Sequence, residues 1–313
     1  QAEDGIRDRS PSRGLGDVYK RQVLDIAARK ELGPELARQI REEREARPSA
    51  VAVRAGKPLD GAERISVRDG VALMPVIGPI VRRAGFFSDV SGASSITRMA
   101  TDFHAALADP QIRAILLVID SPGGEANGVN EFAQMVYAAR GTKPIWAYIE
   151  GMGASAAYWI ASAADQIVVD AIAVVGSIGA VRTMENPKSG SGRTIEIVSS
   201  QSPNKRPDVT TEKGKQQIQG QLDALADVFV AAVARNRGVS AETVLADFGQ
   251  GGLFIGQAAV DAGLVDRLHR GRLPGSQTLF LELGHDGRAS GADLDRLGCH
   301  QRLRAFHVEV QGQ

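Results

Sequence analysis

The sequence predicts an α/β protein with a mainly parallel sheet. Apolar runs of strand length, Val71–Ile77, Ala114–Ile119 and Ile145–Ile149, are separated by segments of helical period. The runs are continuously apolar, as expected of strands covered on both faces. Between them, apolar residues return every three or four positions, the pattern of helical crossovers between parallel strands. At 313 residues, 43% of them hydrophobic and 24% charged, the chain is long enough to bury a sizeable core.

The elements follow in order. Residues 1–22 lack periodicity, and Asp17–Gln22 is the translation of GAT GTG TAT AAG AGA CAG, which resembles a sequencing-adapter end. They are read as a non-native, adapter-derived segment and set aside. Val23–Arg47 is helical in pattern, with Pro48 as its stop, and residues 50–69 read as a polar connector. Together residues 23–63 form an N-terminal helix and linker, and the folded domain spans 64–270.

Val71–Ile77 is the first buried strand, followed by a loop at Gly85–Gly92. Ile96, Met99, Phe103 and Leu107 give helical spacing over Ser95–Ala108. After the strand Ala114–Ile119 come a helix at Val129–Arg140, the strand Ile145–Ile149, a short alanine-rich helix at Ala156–Ala164 and a strand at Ile167–Val169. Gln216–Arg237 is the clearest helix, with one stripe of Ile218, Leu222, Leu225, Phe229, Val230 and Val233 and Gly238 as its stop. A short helix from Ser240, a glycine cluster at Gly249–Gly252 and the segment Ala258–Leu268 close the domain, and residues 271–313 read as an irregular tail.

Composition excludes several classes. Lys+Arg and Asp+Glu balance at 37 each, so bulk charge favours neither nucleic acid nor an anionic membrane. One cysteine, Cys299, excludes an internal disulfide framework and a cysteine-rich zinc site. No apolar run reaches the roughly 18 residues of a membrane span, and the polar start is unlike a secretory signal. The expectation is a soluble, cytoplasmic protein with no metal or organic cofactor.

Two strand-to-helix junctions carry candidate chemistry. Asp120-Ser121-Pro122-Gly123-Gly124 permits a turn that can aim free amides at one point, as an oxyanion hole requires. The bland alternative is a tight turn. Gly151-Met-Gly-Ala-Ser155-Ala-Ala-Tyr-Trp159 puts Ser155 at a helix start, where exposed amides favour a developing anion. Taken alone, Ser155 reads more readily as an N-cap than as a nucleophile.

A serine nucleophile needs a base. No histidine lies between Ala105 and Leu268, with His104 on a helix before the junctions and His269, His285, His300 and His307 beyond them. Lysine is the better candidate class, because desolvation can leave part of it as neutral amine. Lys143 precedes its strand and belongs at the opposite end from Ser155, while Lys213 and Lys215 open the long helix and read as solvated. Lys205 lies between two prolines in Ser202-Pro-Asn-Lys-Arg-Pro207, and residue chemistry alone leaves Lys188 and Lys205 both open.

Taken together, Asp120-Ser-Pro-Gly-Gly, Gly-x-Ala-Ser155-x-x-Tyr-x-Ile-Ala-Ser-Ala-Ala-Asp165 and Gly176-Ser-Ile-Gly179 resemble the ordered motifs of the signal peptide peptidase A family. Ser155-Ala-Ala-Tyr with the Lys205 segment is closer to its phage prohead-protease branch, and the resemblance runs from about Val71 to Leu268. It implies a ClpP/crotonase-type spiral of ββα units that self-associates, and a serine peptidase acting on peptide or protein substrates. By resemblance, Ser155 is the nucleophile, Lys205 the general base, and Ser177 the hydroxyl orienting the lysine. Gly124 and Ala156 are the oxyanion amides, with Gly123 a near alternative. Ala156-Ala157 stands where the cellular enzymes carry Gly-Gly, and their membrane anchor is missing. Both departures favour the phage-type role, trimming of scaffold and capsid proteins, over degradation of cleaved signal peptides.

Two other classes compete. A crotonase-type acyl-CoA enzyme would employ carboxylates such as Glu125 or Glu150, and does not need Ser155, Ser177 and Lys205. A catalytically silent assembly protein would keep the fold and leave Ser155 unreactive.

Overall fold

The computed structural model describes residues 56–83, 93–183, 200–202 and 204–269. The expected helix at Val23–Arg47, the loop at Gly85–Gly92, Lys188, and the segments 1–22 and 271–313 lie outside the described residues.

Strands β1 (Lys57–Pro58) and β2 (Ser66–Arg68) form an antiparallel hairpin, and β2 pairs antiparallel with β3 (Val71–Ile77). The expected polar connector over 50–69 is therefore partly sheet. These strands are only two and three residues long and carry no apolar run that would mark them. Next come β4 (Ile80–Val81) and β5 (Ser94–Ser95), paired parallel, then α1 (Ile96–Ala108), β6 (Ala114–Ser121), α2 (Val129–Ala138), β7 (Ile145–Ala154), α3 (Ala156–Ser162), β8 (Gln166–Val169) and β9 (Val174–Gly176). The long α4 (Glu212–Arg237), α5 (Ala241–Asp247), β10 (Leu253–Ile255), α6 (Gln257–Asp261) and β11 (Arg267–Leu268) complete the order.

The main sheet runs β1-β2-β3-β6-β7-β8-β11, with β9 joining β7 and β10 joining β9. From β3 to β11 along that path every pairing is parallel, as the apolar runs predict. Alternate residues serve two cores. Ala72, Met74, Ile115, Leu117 and Ile119 face the helices, whereas Val71, Leu73, Leu116 and Val118 join Trp146, Tyr148 and Val168 on the other face. Both faces being covered explains why these strands read as unbroken apolar runs.

The stripe on α4 is buried only in part. Phe229, Val230 and Val233 enter the core, but Leu225 is 46% exposed. Leu222, Leu225 and Val228 line a cavity instead of entering the core.

Candidate active site

Three parallel strands end together at one edge of the sheet, where open α/β folds commonly place their sites. β6 ends at Ser121, β7 at Ala154 and β9 at Gly176, and the last register pair of β7 and β9 is Ala154↔Gly176. Ser155 is the next residue on one strand and Ser177 the next on the other. Ser155 has φ 54°, ψ −125°, and Ser177 also has φ 54°.

Left-handed φ is costly for a residue with a side chain, about 1–3 kcal/mol, and is held only by firm surroundings. Ser155 N–H donates to the Gly176 carbonyl at 2.8 Å, and its own carbonyl accepts from Trp159 N–H at 3.0 Å. Its side chain makes no capping bond. Ser155 is thus the N-cap of α3 by position, as the sequence suggests, but its hydroxyl does not cap, and the strained backbone forms an elbow there.

The turn after β6 lies directly over that elbow. Gly123 has φ +90°, and a Cβ there would fall 2.7 Å from the Ala154 carbonyl oxygen, 2.8 Å from Ser155 Cβ and 2.9 Å from Ala156 N. Conformation and contact both demand glycine at this position. Gly123 N–H is engaged by Ser121 Oγ at 3.1 Å. Gly124 is bridged to Ile80, but through its neighbours: Ile80 N–H donates to Gly123 O, and Glu125 N–H donates to Ile80 O. Backbone groups alternate along an extended segment, so Gly124 N–H faces away from Ile80, and Gly124 lines the cavity described below. Ala156 is the first residue of α3, where an N–H has no partner within its own helix.

The far end of α3 is fixed by a half-buried clamp. Arg140 donates to the carbonyls of Ser162 and Ala163 at 2.9 Å each, Ala164 at 2.6 Å and, from α4, Asn236 at 3.1 Å. Asn236 Nδ2 adds a bond to Ser162 Oγ at 2.9 Å. Burial lowers the Arg140 pKa from its ordinary value, with Asp165 opposing.

A cavity of about 370 Å³ opens at Gly124, Ser155 and Ala156. One wall is apolar, from Trp159, Leu222, Leu225, Val228 and Phe229, and the other carries Glu125, Asn127, Asn130 and Glu131. Trp159 and Phe229 stack face to face with centroids 4.3 Å apart. Sequence reasoning missed the α4 wall. Leu222 and Leu225 fit the helical period, but period alone does not say what a helix face meets.

The remaining candidates divide. Ser177 is half-buried beside Ser155, and its N–H donates to Gly252 O at 2.8 Å. Lys205 is exposed on a turn, its N–H donating to Ser202 O at 3.1 Å, and it is not among the residues that line the cavity. Lys143 sits at the other end of β7, as expected, with Nζ on the carbonyls of Ala106 at 2.9 Å and Asp109 at 2.6 Å. Lys213, Lys215 and His104 are exposed. Glu125 accepts from Arg82 N–H at 2.9 Å. Among the described residues no group of three or more His, Cys, Asp or Glu side chains is arranged to hold a metal, and no helix is long and apolar enough to cross a membrane.

Residues 138–272, which include Ser155, Ser177 and Lys205, match the model of peptidase family S49. The chain is 32% identical over 208 residues to the head-tail preconnector protein GP5 of Enterobacteria phage P21, covering 64% of this chain and 41% of that one. It is 30% identical over 213 residues to capsid assembly protease C of Escherichia phage lambda, covering 66% and 48%. It is 33% identical over 178 residues to protease 4 of Salmonella typhi, covering 54% and 28%. The chain thus spans less than half the length of each of these relatives. The parallel sheet and its crossovers are the ClpP/crotonase-type fold of S49 peptidases.

Proposed function

We propose that this chain is a serine endopeptidase in which Ser155 is the nucleophile. The observation that carries the reading is the strained elbow at Ser155, overlaid by Gly123 and opening on a cavity beside the Gly124 and Ala156 amides. A peptide lying in the cavity would present its carbonyl to Ser155 Oγ. Lys205, as general base, takes the hydroxyl proton as the C–O bond forms, and the two amides hold the oxyanion. The same lysine returns that proton to the leaving amine as the C–N bond breaks. Water then attacks the acyl-enzyme and releases the acid. Ser177, beside Ser155 at the next strand end, orients the lysine amine.

Lys205 is exposed in the single chain, and Ile172, Leu253 and Ile255 leave an exposed apolar patch around β9 and β10. Both observations support self-association, in which the lysine of one copy serves the serine of another. The names of the phage relatives support capsid or scaffold proteins as substrates, cut in the cytoplasm where heads assemble.

A fluorophosphonate probe followed by peptide mapping tests the reading. Label on Ser155, lost in Ser155→Ala, is the expected result. An unlabelled Ser155 in folded, assembled protein supports the silent assembly protein instead.

A further inference from the structure

The Asp-Ser-Pro-Gly-Gly motif opens with a residue that the mechanism does not use. Asp120 stands alone on β6 between the register pairs Ile119↔Ile149 and Ser121↔Gly153, opposite Glu150, Gly151 and Met152 of β7. β7 changes partner at the same place. It pairs with β8 up to Ile149↔Val169 and with β9 from Met152↔Val174.

A bulge of this kind interrupts the ladder and re-aims the strand, and its backbone groups need other partners. Asp120 Oδ1 accepts Met152 N–H at 3.1 Å. Gly151 packs against the same oxygen, and a Cβ there would lie 2.7 Å from it. The carboxylate therefore fills the gap that the bulge opens. Its own backbone is fixed, since Asp120 is in register with Ile77 and its carbonyl accepts from Gly78 N–H at 2.9 Å. Gly153, Ala154 and Ser155 follow the bulge directly.

We propose that Asp120 is a positioning residue, whose carboxylate sets the β7 bulge that aims Ser155 at the Gly124 and Ala156 amides. The proposal rests on the serine peptidase reading above. Acting through Met152, Asp120 touches no substrate, so its loss shows in the reaction step and not in binding.

The test is labelling by a fluorophosphonate probe, taken to saturation so that limiting rate and half-saturating concentration are separated. Wild type, Asp120→Asn, Asp120→Ala, Gly151→Ala and the Asp120→Ala/Gly151→Ala double variant are compared, each checked for fold by circular dichroism. Asp120→Ala lowers the limiting rate about 10- to 100-fold, the scale of a small misplacement of a reacting group, and leaves half-saturation unchanged. Asp120→Asn keeps an oxygen for Met152 N–H and recovers most of the rate. Gly151→Ala, which drives a methyl against the carboxylate, loses rate as Asp120→Ala does, and the double variant loses no more than either, because both disturb one contact.

A folded Asp120→Ala with the wild-type limiting rate overturns the proposal, as does an Asn variant no better than Ala. Should Asp120→Ala not fold, a wild-type rate in Gly151→Ala overturns it equally. If wild-type Ser155 is not labelled at all, the serine reading falls first and this inference falls with it.

Discussion

Ser155 and Ser177 occupy equivalent places at the ends of neighbouring parallel strands, each one residue past the pair Ala154↔Gly176 and each at φ 54°. The backbone ties them, because Ser155 N–H donates to Gly176 O, the residue before Ser177. Two hydroxyls held this way stand on one rigid edge. A base that reaches one is within the neighbourhood of the other, so the pair suits a nucleophile and the group that orients its base.

Gly123→Ala tests whether the overlying turn matters to that geometry. The new methyl would meet Ser155 Cβ at 2.8 Å, on a backbone at φ +90°. Turnover is expected to fall about 100-fold, with a stability loss of about 1–3 kcal/mol from the strained φ. Kinetics and a urea melt read the two effects. Unchanged turnover would show that the turn does not constrain Ser155.

The base is tested by mixing two inactive variants. Ser155→Ala and Lys205→Ala should each be inactive alone. If copies exchange lysines across an interface, their mixture regains activity, because one mixed site then holds an intact serine and an intact lysine. Lys205→Arg should be as inactive as Lys205→Ala, since guanidinium does not deprotonate in this range. Full activity in Lys205→Ala removes this lysine from the mechanism and directs attention to Lys188.

Asp102 gives a pH-dependent prediction away from the site. It is buried in α1, with its carboxylate accepting from Glu63 N–H at 2.7 Å and Arg64 N–H at 3.1 Å. Burial raises its pKa above the ordinary aspartate value, and the two backbone bonds oppose that rise without cancelling it. A carboxyl raised in the folded state holds its proton longer than in the unfolded chain. Its contribution to stability is full below the ordinary aspartate pKa and is lost as pH rises through the raised one. Asp102→Asn, which cannot ionise, should flatten the melting-temperature profile across that acidic window. Parallel profiles would mean that Asp102 titrates normally when folded.

Much of the fold was legible because its strands are buried on both faces. Val71–Ile77 and the body of β6 are read directly from continuous apolar runs, and Gly238 ends α4 in the left-handed conformation a C-terminal glycine supplies. Ser155 was legible as a junction residue. Its elbow was not, because φ 54° is imposed by Gly176, Trp159 and the Gly123 turn, which come from separate parts of the chain. The extension of β7 to Ala154 was hidden for a related reason: Gly151 and Gly153 read as loop until Asp120 and β9 supply their partners. The amphipathic period of α4 was correct, but the cavity its first half faces is a tertiary fact.

If Ser155 Oγ attacks the scissile carbonyl, the most direct measurement is the turnover of Ser155→Ala on a peptide the wild type cleaves. The elbow backbone accepts alanine as it accepts serine, so fold and assembly should be unchanged in circular dichroism and sedimentation. Turnover should fall by about 10⁴- to 10⁶-fold, the scale of removing a serine nucleophile. A folded Ser155→Ala that still cleaves at the wild-type rate would remove Ser155 from the reaction.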